Sequence, residues 1–221
     1  KNLQKIFQAM KMVAAARLKR VQDRVAASRP YSEKMHELVN AVAPYAHTVT
    51  HPLLEVRPPK KIGMVVLTGE KGLCGGFNNS IIRVAAKAAG EFGDTPVELI
   101  TIGRKGNEHF KRRNYSIAKT VALPGVNAPY SVYKSIVDMI AEWYTSGAVD
   151  EVHIAFTVFV STMTQRPSII KVLPIEPPKA PAGDGAKAAE QKDYIFDPSA
   201  PQLLAELLPR YLENHIYHKI L

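Results

Sequence analysis

The sequence predicts an α/β fold, a mainly parallel sheet with flanking helices, joined to a long N-terminal helix that the sheet is too small to bury. Two observations carry the prediction. Between Ile62 and Tyr144, short apolar runs alternate with segments of helical periodicity, the pattern of parallel strands linked by crossover helices. Over the first 45 residues, apolar side chains recur at spacings of three and four with no gap long enough for a loop. A length of 221 residues and a 46% hydrophobic composition supply a core of the size such a fold needs.

The elements follow in order. Leu3, Ile6, Met10 and Val13, then Ala14, Leu18, Val21 and Val25 after a phase shift, describe a helix with a narrow coiled-coil-like seam. Pro30 interrupts it, yet the period resumes at Tyr31, Met35, Leu38, Val39 and Val42. The intervening residues contain no glycine, so one kinked helix is expected rather than two. Carried through Tyr45, it would be roughly 65 Å long. His51–Pro52 and Pro58–Pro59 mark a connection. Ile62–Thr68 reads as a buried strand, and Ser80 as the N-cap of a helix presenting Ile81, Val84, Ala85 and Ala88. Pro96–Ile102 is a second strand, Lys105–Arg112 a short helix, and Ser116–Leu123 a third strand. Tyr130–Tyr144 is an amphipathic helix with Val132, Ile136, Met139, Ile140 and Trp143 on its apolar side. Glu151–Met163 and Ser168–Ile175 form a hairpin turning around Gln165–Pro167. Pro177–Lys192, rich in Ala, Pro, Gly and Lys, is an exposed linker. Pro201–Leu221 is helical without a C-cap glycine, so the helix is expected to be cut rather than finished. The divisions are an arm at 1–50, a Rossmann-like α/β domain at 60–176, a linker at 177–200 and a second helix at 201–221.

Charge is unevenly placed. Residues 1–35 hold nine Lys and Arg against two acids, a balance of +7, whereas the remaining residues balance to +2. A basic arm on a nearly neutral body points to an acidic partner: nucleic acid, anionic lipid or an acidic protein surface. No apolar run approaches the roughly 18 residues of a membrane-spanning helix. The first residues do not have the form of a signal peptide. One cysteine excludes an intrachain disulfide framework and a thiolate cluster for zinc.

The stretch from Gly69 to Asn78 follows the first strand, where doubly wound folds cradle phosphate. It lacks the Gly-Lys-Ser/Thr ending of a P-loop and the glycine spacing of a dinucleotide turn. Gly72, Cys74, Gly75 and Gly76 are therefore read as a structural turn that brings strand and helix close, with Cys74 a packed thiol. His47 and His51, and likewise His215 and His218, have helical spacing but no third ligand, so no metal is expected. The Asn78–Ser80 and Asn114–Ser116 sequons are read as chance matches. Acidic residues are scattered without a catalytic pair. No cofactor is implied, and the residues argue for an interaction protein rather than an enzyme. The competing class is a nucleic-acid-binding protein using the basic helix, but that helix lacks interleaved aromatics and its seam wants a partner helix.

Gln4–Ile6, Ala9–Arg17 and Ala26–Tyr31 together closely resemble the N-terminal helix of the gamma subunit of F-type ATP synthases. Gly72–Asn78, Gly103–Gly106, Phe156–Gln165 and Leu208–Leu212 extend the resemblance over essentially the whole chain. The resemblance implies an antiparallel coiled coil of N- and C-terminal helices, forming a central axle within three alpha and three beta subunits. The α/β domain would be a rotor foot on epsilon and the membrane c-ring. Rotation would couple proton or other ion flow to ATP synthesis at the alpha–beta sites, with this subunit non-catalytic, binding no nucleic acid and inserting no segment in the membrane. It would belong to a peripheral complex on the cytoplasmic face of a bacterial plasma membrane. By position, Met10, Lys11 and Met12 would face the beta subunits, with Lys5, Arg17 and Arg20 as electrostatic contacts. Against the family pattern, the first turns before Lys1 and the C-terminal axle half after Leu221 are missing, so truncation at both ends is expected. No inserted cysteine pair for thiol control is present.

Overall fold

The computed structural model describes residues 2–176 and 199–221, and the linker expected at Pro177–Lys192 lies outside them. Helix α1 (Asn2–Val42) is a single helix of 41 residues, about 62 Å of helical rise, that continues past Pro30. Proline removes one backbone donor there, but apolar periodicity on its far side still buries Met35, Val39 and Val42. Two short 3-10 segments, Ala43–Thr48 and Pro52–Leu54, lead to the sheet.

The strands are β1 (Ile62–Leu67), β2 (Val97–Ile102), β3 (Ser116–Val121), β4 (Glu151–Phe159) and β5 (Gln165–Leu173). They lie in the order β3-β2-β1-β4-β5, the first four parallel and β5 antiparallel to β4. Helices α2 (Phe77–Glu91), α3 (Arg104–Lys111) and α4 (Tyr130–Thr145) make the crossovers. Because such crossovers are right-handed, the two steps from β1 out to β3 place α2 and α3 on one face, and the return to β4 places α4 on the other. β1 shows both faces at once. Met64 and Val66 pack with Ile81, Ala85 and Phe110, whereas Val65 and Leu67 pack with Ile136 and Ile140. All six β1 residues are buried, which is why the strand reads as a continuous apolar run.

Helix α5 (Ala200–Ile220) starts at Ser199, whose hydroxyl caps the Gln202 N–H. It runs antiparallel to α1: the Asn214 side chain donates to Ser32 Oγ at 2.9 Å, and the Tyr211 ring lies 5.7 Å from that of His36. Leu204, Leu208, Leu212 and Ile216 fill the seam with Met35, Val39 and Val42.

Three of the boundaries that differ from the sequence reading change which residues form the turns. Helix α2 begins at Phe77 with Gly76 as its N-cap, so Ser80 sits inside the first turn and its N–H bonds to Gly76 O. β4 ends at Phe159 rather than Met163. The hairpin turns at Ser161–Thr164, where Ser161 Oγ accepts the Thr164 N–H at 3.0 Å. Gln165–Pro167 therefore belongs to β5, pairing with Phe159 and Thr157. Proline is tolerated there because β5 is an edge strand.

The connection before β1 is held by Arg57. Its Nη2 donates to the Tyr144 carbonyl at 2.7 Å, at the end of α4, and its guanidinium lies 4.5 Å from the centre of the Tyr144 ring. The Tyr144 hydroxyl donates to Glu55 O, and burial raises its pKa against the opposing pull of Arg57. Arg57→Ala removes a charged hydrogen bond and a ring contact together, an expected loss of about 2–3 kcal/mol. Arg57→Lys, which keeps the charge without the flat fork, should lose about half of that. Urea midpoints of the two variants check the order.

Candidate functional site

Two regions carry the residues singled out from the sequence. The first is the free part of α1. Residues 3–20 are exposed on every side, including Lys5, Met10, Lys11, Met12, Arg17 and Arg20. Leu3, Ile6, Phe7 and Val13 are exposed as well, and Met10 and Met12 retain 53% and 62% of their accessible surface. Successive helical residues point about 100° apart, so Met10, Lys11 and Met12 fan over more than half the circumference. They cannot all meet one flat surface. Only Asp23 offsets the cations of this stretch; it pairs with Lys19 at 2.9 Å, and that hydrogen bond raises the Lys19 pKa. The structure brings these residues onto one exposed rod; it does not gather them into a pocket.

The second region is the turn after β1. Asn78, buried at the start of α2, organises it: Oδ1 accepts the Gly69 N–H at 2.8 Å, while Nδ2 donates to Lys71 O and to Cys74 Sγ. Glu70 accepts the Leu123 N–H at 2.6 Å, tying the turn to the chain beyond β3. Two details of the sequence reading are corrected here. Cys74 is exposed, not packed. Gly72 and Gly76 do not let strand and helix approach: a Cβ at Gly72 would meet nothing, and one at Gly76 would meet only Ser80 Oγ at 3.6 Å. Among the four turn residues Gly75 alone has a backbone requirement, a φ of +56°. Leu73 also has positive φ and projects fully into solvent.

Close approach occurs instead at Gly103 and Gly106, beneath the turn. The Gly106 N–H donates to Thr68 Oγ1 at 2.8 Å, and the Lys105 N–H donates to Gly69 O. Asn78 and Gly103 lie in motifs that carry the family resemblance, but the joining roles of Thr68, Asn78 and Gly103 were not read from sequence. The available signal was the Thr-Gly and Ile-Gly endings of β1 and β2, which mark adjacent parallel strands stopping together.

Between the turn and α3 lies an open cleft of about 240 Å³ lined by Leu73, Asn79, Lys105, Glu108, His109 and Arg112. Its electrostatics are those of a solvated helix face. Glu108 is held below the usual carboxylate range mainly by the Lys105 hydrogen bond. Burial, then Arg113 and Arg112, lower His109. The cleft has no lysine–hydroxyl pair to grip a triphosphate.

The histidine pairs have local roles. His51 Nδ1 accepts the Leu53 N–H at 3.1 Å, and burial lowers its pKa. His215 and His218 lie in the α1–α5 joint. Among the described residues no group of three or more His, Cys, Asp or Glu is placed to hold a metal ion, and no helix is long and apolar enough to cross a membrane.

The sequence profile of the family described as ATP synthase matches residues 1–221. The ATP synthase gamma chain of Pelotomaculum thermopropionicum is 41% identical over 221 residues, covering all of this chain and 76% of the relative. That of Desulfitobacterium hafniense is 40% identical, covering all of this chain and 75% of the relative. Among solved structures, the central stalk and c-ring of the Tetrahymena thermophila mitochondrial ATP synthase includes a chain that matches with a TM-score of 0.67. The match covers 97% of this chain and 90% of that one; at 19% identity it is a likeness of fold. On the strength of matches that span its whole length, the chain belongs to the gamma-chain family of ATP synthases.

Proposed function

We propose that this protein is the central rotor subunit of an ATP synthase, with the free part of α1 as the axle surface and the α/β domain as the foot. The observation that carries this reading is the rod itself: residues 3–20 expose large apolar and cationic side chains on all sides at once. A rod of this kind suits a partner that surrounds it, such as a ring of three alpha and three beta subunits. Epsilon and the c-ring would then hold the foot. The subunit would contribute no catalytic group. Its asymmetric surface would favour a different beta conformation at each angle, a coupling by differential contact. A complex of this kind sits peripherally on a membrane, on the cytoplasmic face in a bacterium.

The cationic contacts of Lys5, Lys11, Arg17 and Arg20 would be solvent-exposed ion pairs, each worth roughly 0.2–1 kcal/mol. Arg17→Ala in an assembled complex should therefore lower ATP-driven ion pumping by less than about fivefold. Met10→Lys places a charge, with no partner to meet it, on a surface that must release at every step. Its pumping should fall by about fivefold to a hundredfold, at a cost of roughly 1–3 kcal/mol for an unsatisfied polar group. Pumping by Met10→Lys equal to that of the parent complex would remove Met10 from the contact surface.

A further inference from the structure

The α1–α5 joint carries an unusual load of imidazoles. His215 stacks on Tyr211 with ring centres 5.8 Å apart, and Tyr211 in turn lies against His36 of α1. One turn on, His218 packs edge-on against Tyr217, and its Nε2 is buried with no hydrogen-bond partner. Lys219 lies half-buried with its ammonium 4.9 Å from the centre of the Phe156 ring of β4. From α4, Tyr130 and Tyr133 close over Tyr217 at 5.3 and 5.0 Å.

The charges that act on His215 are those of Lys219, His36 and His218, each of them cationic when protonated. Arg24 of α1 acts on Tyr217, adding another cation to the same end. The nearby carboxylate, Glu213, is hydrogen-bonded to the Tyr130 hydroxyl. It stands two positions from His215 along the helix, a spacing at which side chains do not face one another. A proton arriving on either imidazole meets burial and positive charge.

We propose that this end of the joint, α5 residues 212–220 against α1 residues 24–36, is an acid-opened latch: protons on His215 and His218 release it while the α/β domain stays folded. Burial, reinforced by Lys219, His36 and His218, lowers the His215 pKa to about 4 from 6.5. The unfolded or undocked segment therefore binds the proton more tightly than the docked one. The stabilisation is complete above about pH 6.5 and is lost progressively as pH falls towards 4. Between about pH 7.5 and pH 5 those two values give a shift of about thirtyfold in the opening equilibrium.

Hydrogen exchange on the 221-residue chain, corrected for intrinsic rates, tests this at about pH 7.5 and pH 5. Protection of residues 212–220 should fall about thirtyfold with acid, while that of Ile62–Leu67 holds. In His215→Gln the thirtyfold due to His215 is removed and only the smaller acid response of His218 remains. A full acid response in His215→Gln overturns the proposal, as does equal loss in β1. Should that variant fail to fold, the imidazole titration of the parent chain by NMR decides. A His215 midpoint below about pH 5 supports the latch, and one near the ordinary value overturns it.

Discussion

Gly103→Ala is expected to cost about 2–6 kcal/mol, a much larger loss than Gly72→Ala. Gly103 has a φ of +94°, where a Cβ is strained, and that Cβ would stand 2.0 Å from Thr68 O and 2.7 Å from the Thr68 carbonyl carbon. The obstacle is backbone, and it cannot swing aside. The Thr68 N–H is bonded to Ile102 O at 2.8 Å and the Gly103 N–H to Val121 O at 2.9 Å, so both sides of the clash are pinned into the ends of β1, β2 and β3. Backbone strain of about 1–3 kcal/mol and overpacking of about 1–3 kcal/mol therefore add. Against a total stability of about 5–15 kcal/mol, that is a large fraction. Gly72→Ala is the matched control: its Cβ would meet nothing and its φ is ordinary, so the change should stay within about 0.5 kcal/mol. Urea denaturation of the two variants checks the contrast. If Gly72→Ala were the more damaging, the glycine turn and not the strand ends would hold this corner together.

That contrast marks how far the sequence could be read. β1 and β2 were legible because helices cover both faces of the sheet and leave apolar runs behind. The passage of α1 through Pro30 was legible because the seam resumes in phase with a buried Met35 and Val39. The clash at Gly103 was not. It joins the end of β1 to the end of β2 across 35 positions, and no local pattern records it. The turn at Gly72–Gly76 misled for the opposite reason. Its glycines are conspicuous in the sequence, but in space Gly72, Cys74 and Gly76 face solvent, and the ordering is done by Asn78. The hairpin was displaced by Pro167, a residue that signals a turn unless the strand is known to be an edge. For the candidate contact residues of α1, periodicity recorded a seam in need of cover, and the length of the C-terminal helix, paired antiparallel as the family resemblance implies, limits that cover to the C-terminal half; the structure places α5 there and leaves 3–20 open.

In a polypeptide of these 221 residues, amides of Leu3–Arg20 are expected to exchange within about tenfold of the free-chain rate, against at least about a thousandfold protection in β1. The helix is well formed where α5 covers it: Met35, Val39 and Val42 are buried, and Ser32 is bonded to Asn214. Towards Val25 and Val21 burial is only partial, and before Val21 it ends. Most of a protein helix's stability comes from tertiary packing of its apolar face, and this stretch has none within the chain. Ala9 and Ala14–Ala16 favour the helix. Against them stand the absence of an acid in the first turn and the like charges of Arg17 and Arg20 three positions apart. Its stability is then a few tenths of a kcal/mol at most, whereas β1 opens only with the whole foot, at a cost of several kcal/mol. Hydrogen exchange by mass spectrometry on peptides 3–20 and 62–67 measures both. Equal protection would mean that the seam finds cover within the chain. If the rod's partner is a surrounding ring of subunits, adding assembled alpha and beta subunits should raise protection across Leu3–Arg20 on all faces together. A gain confined to one stripe of residues would instead point to a single flanking helix.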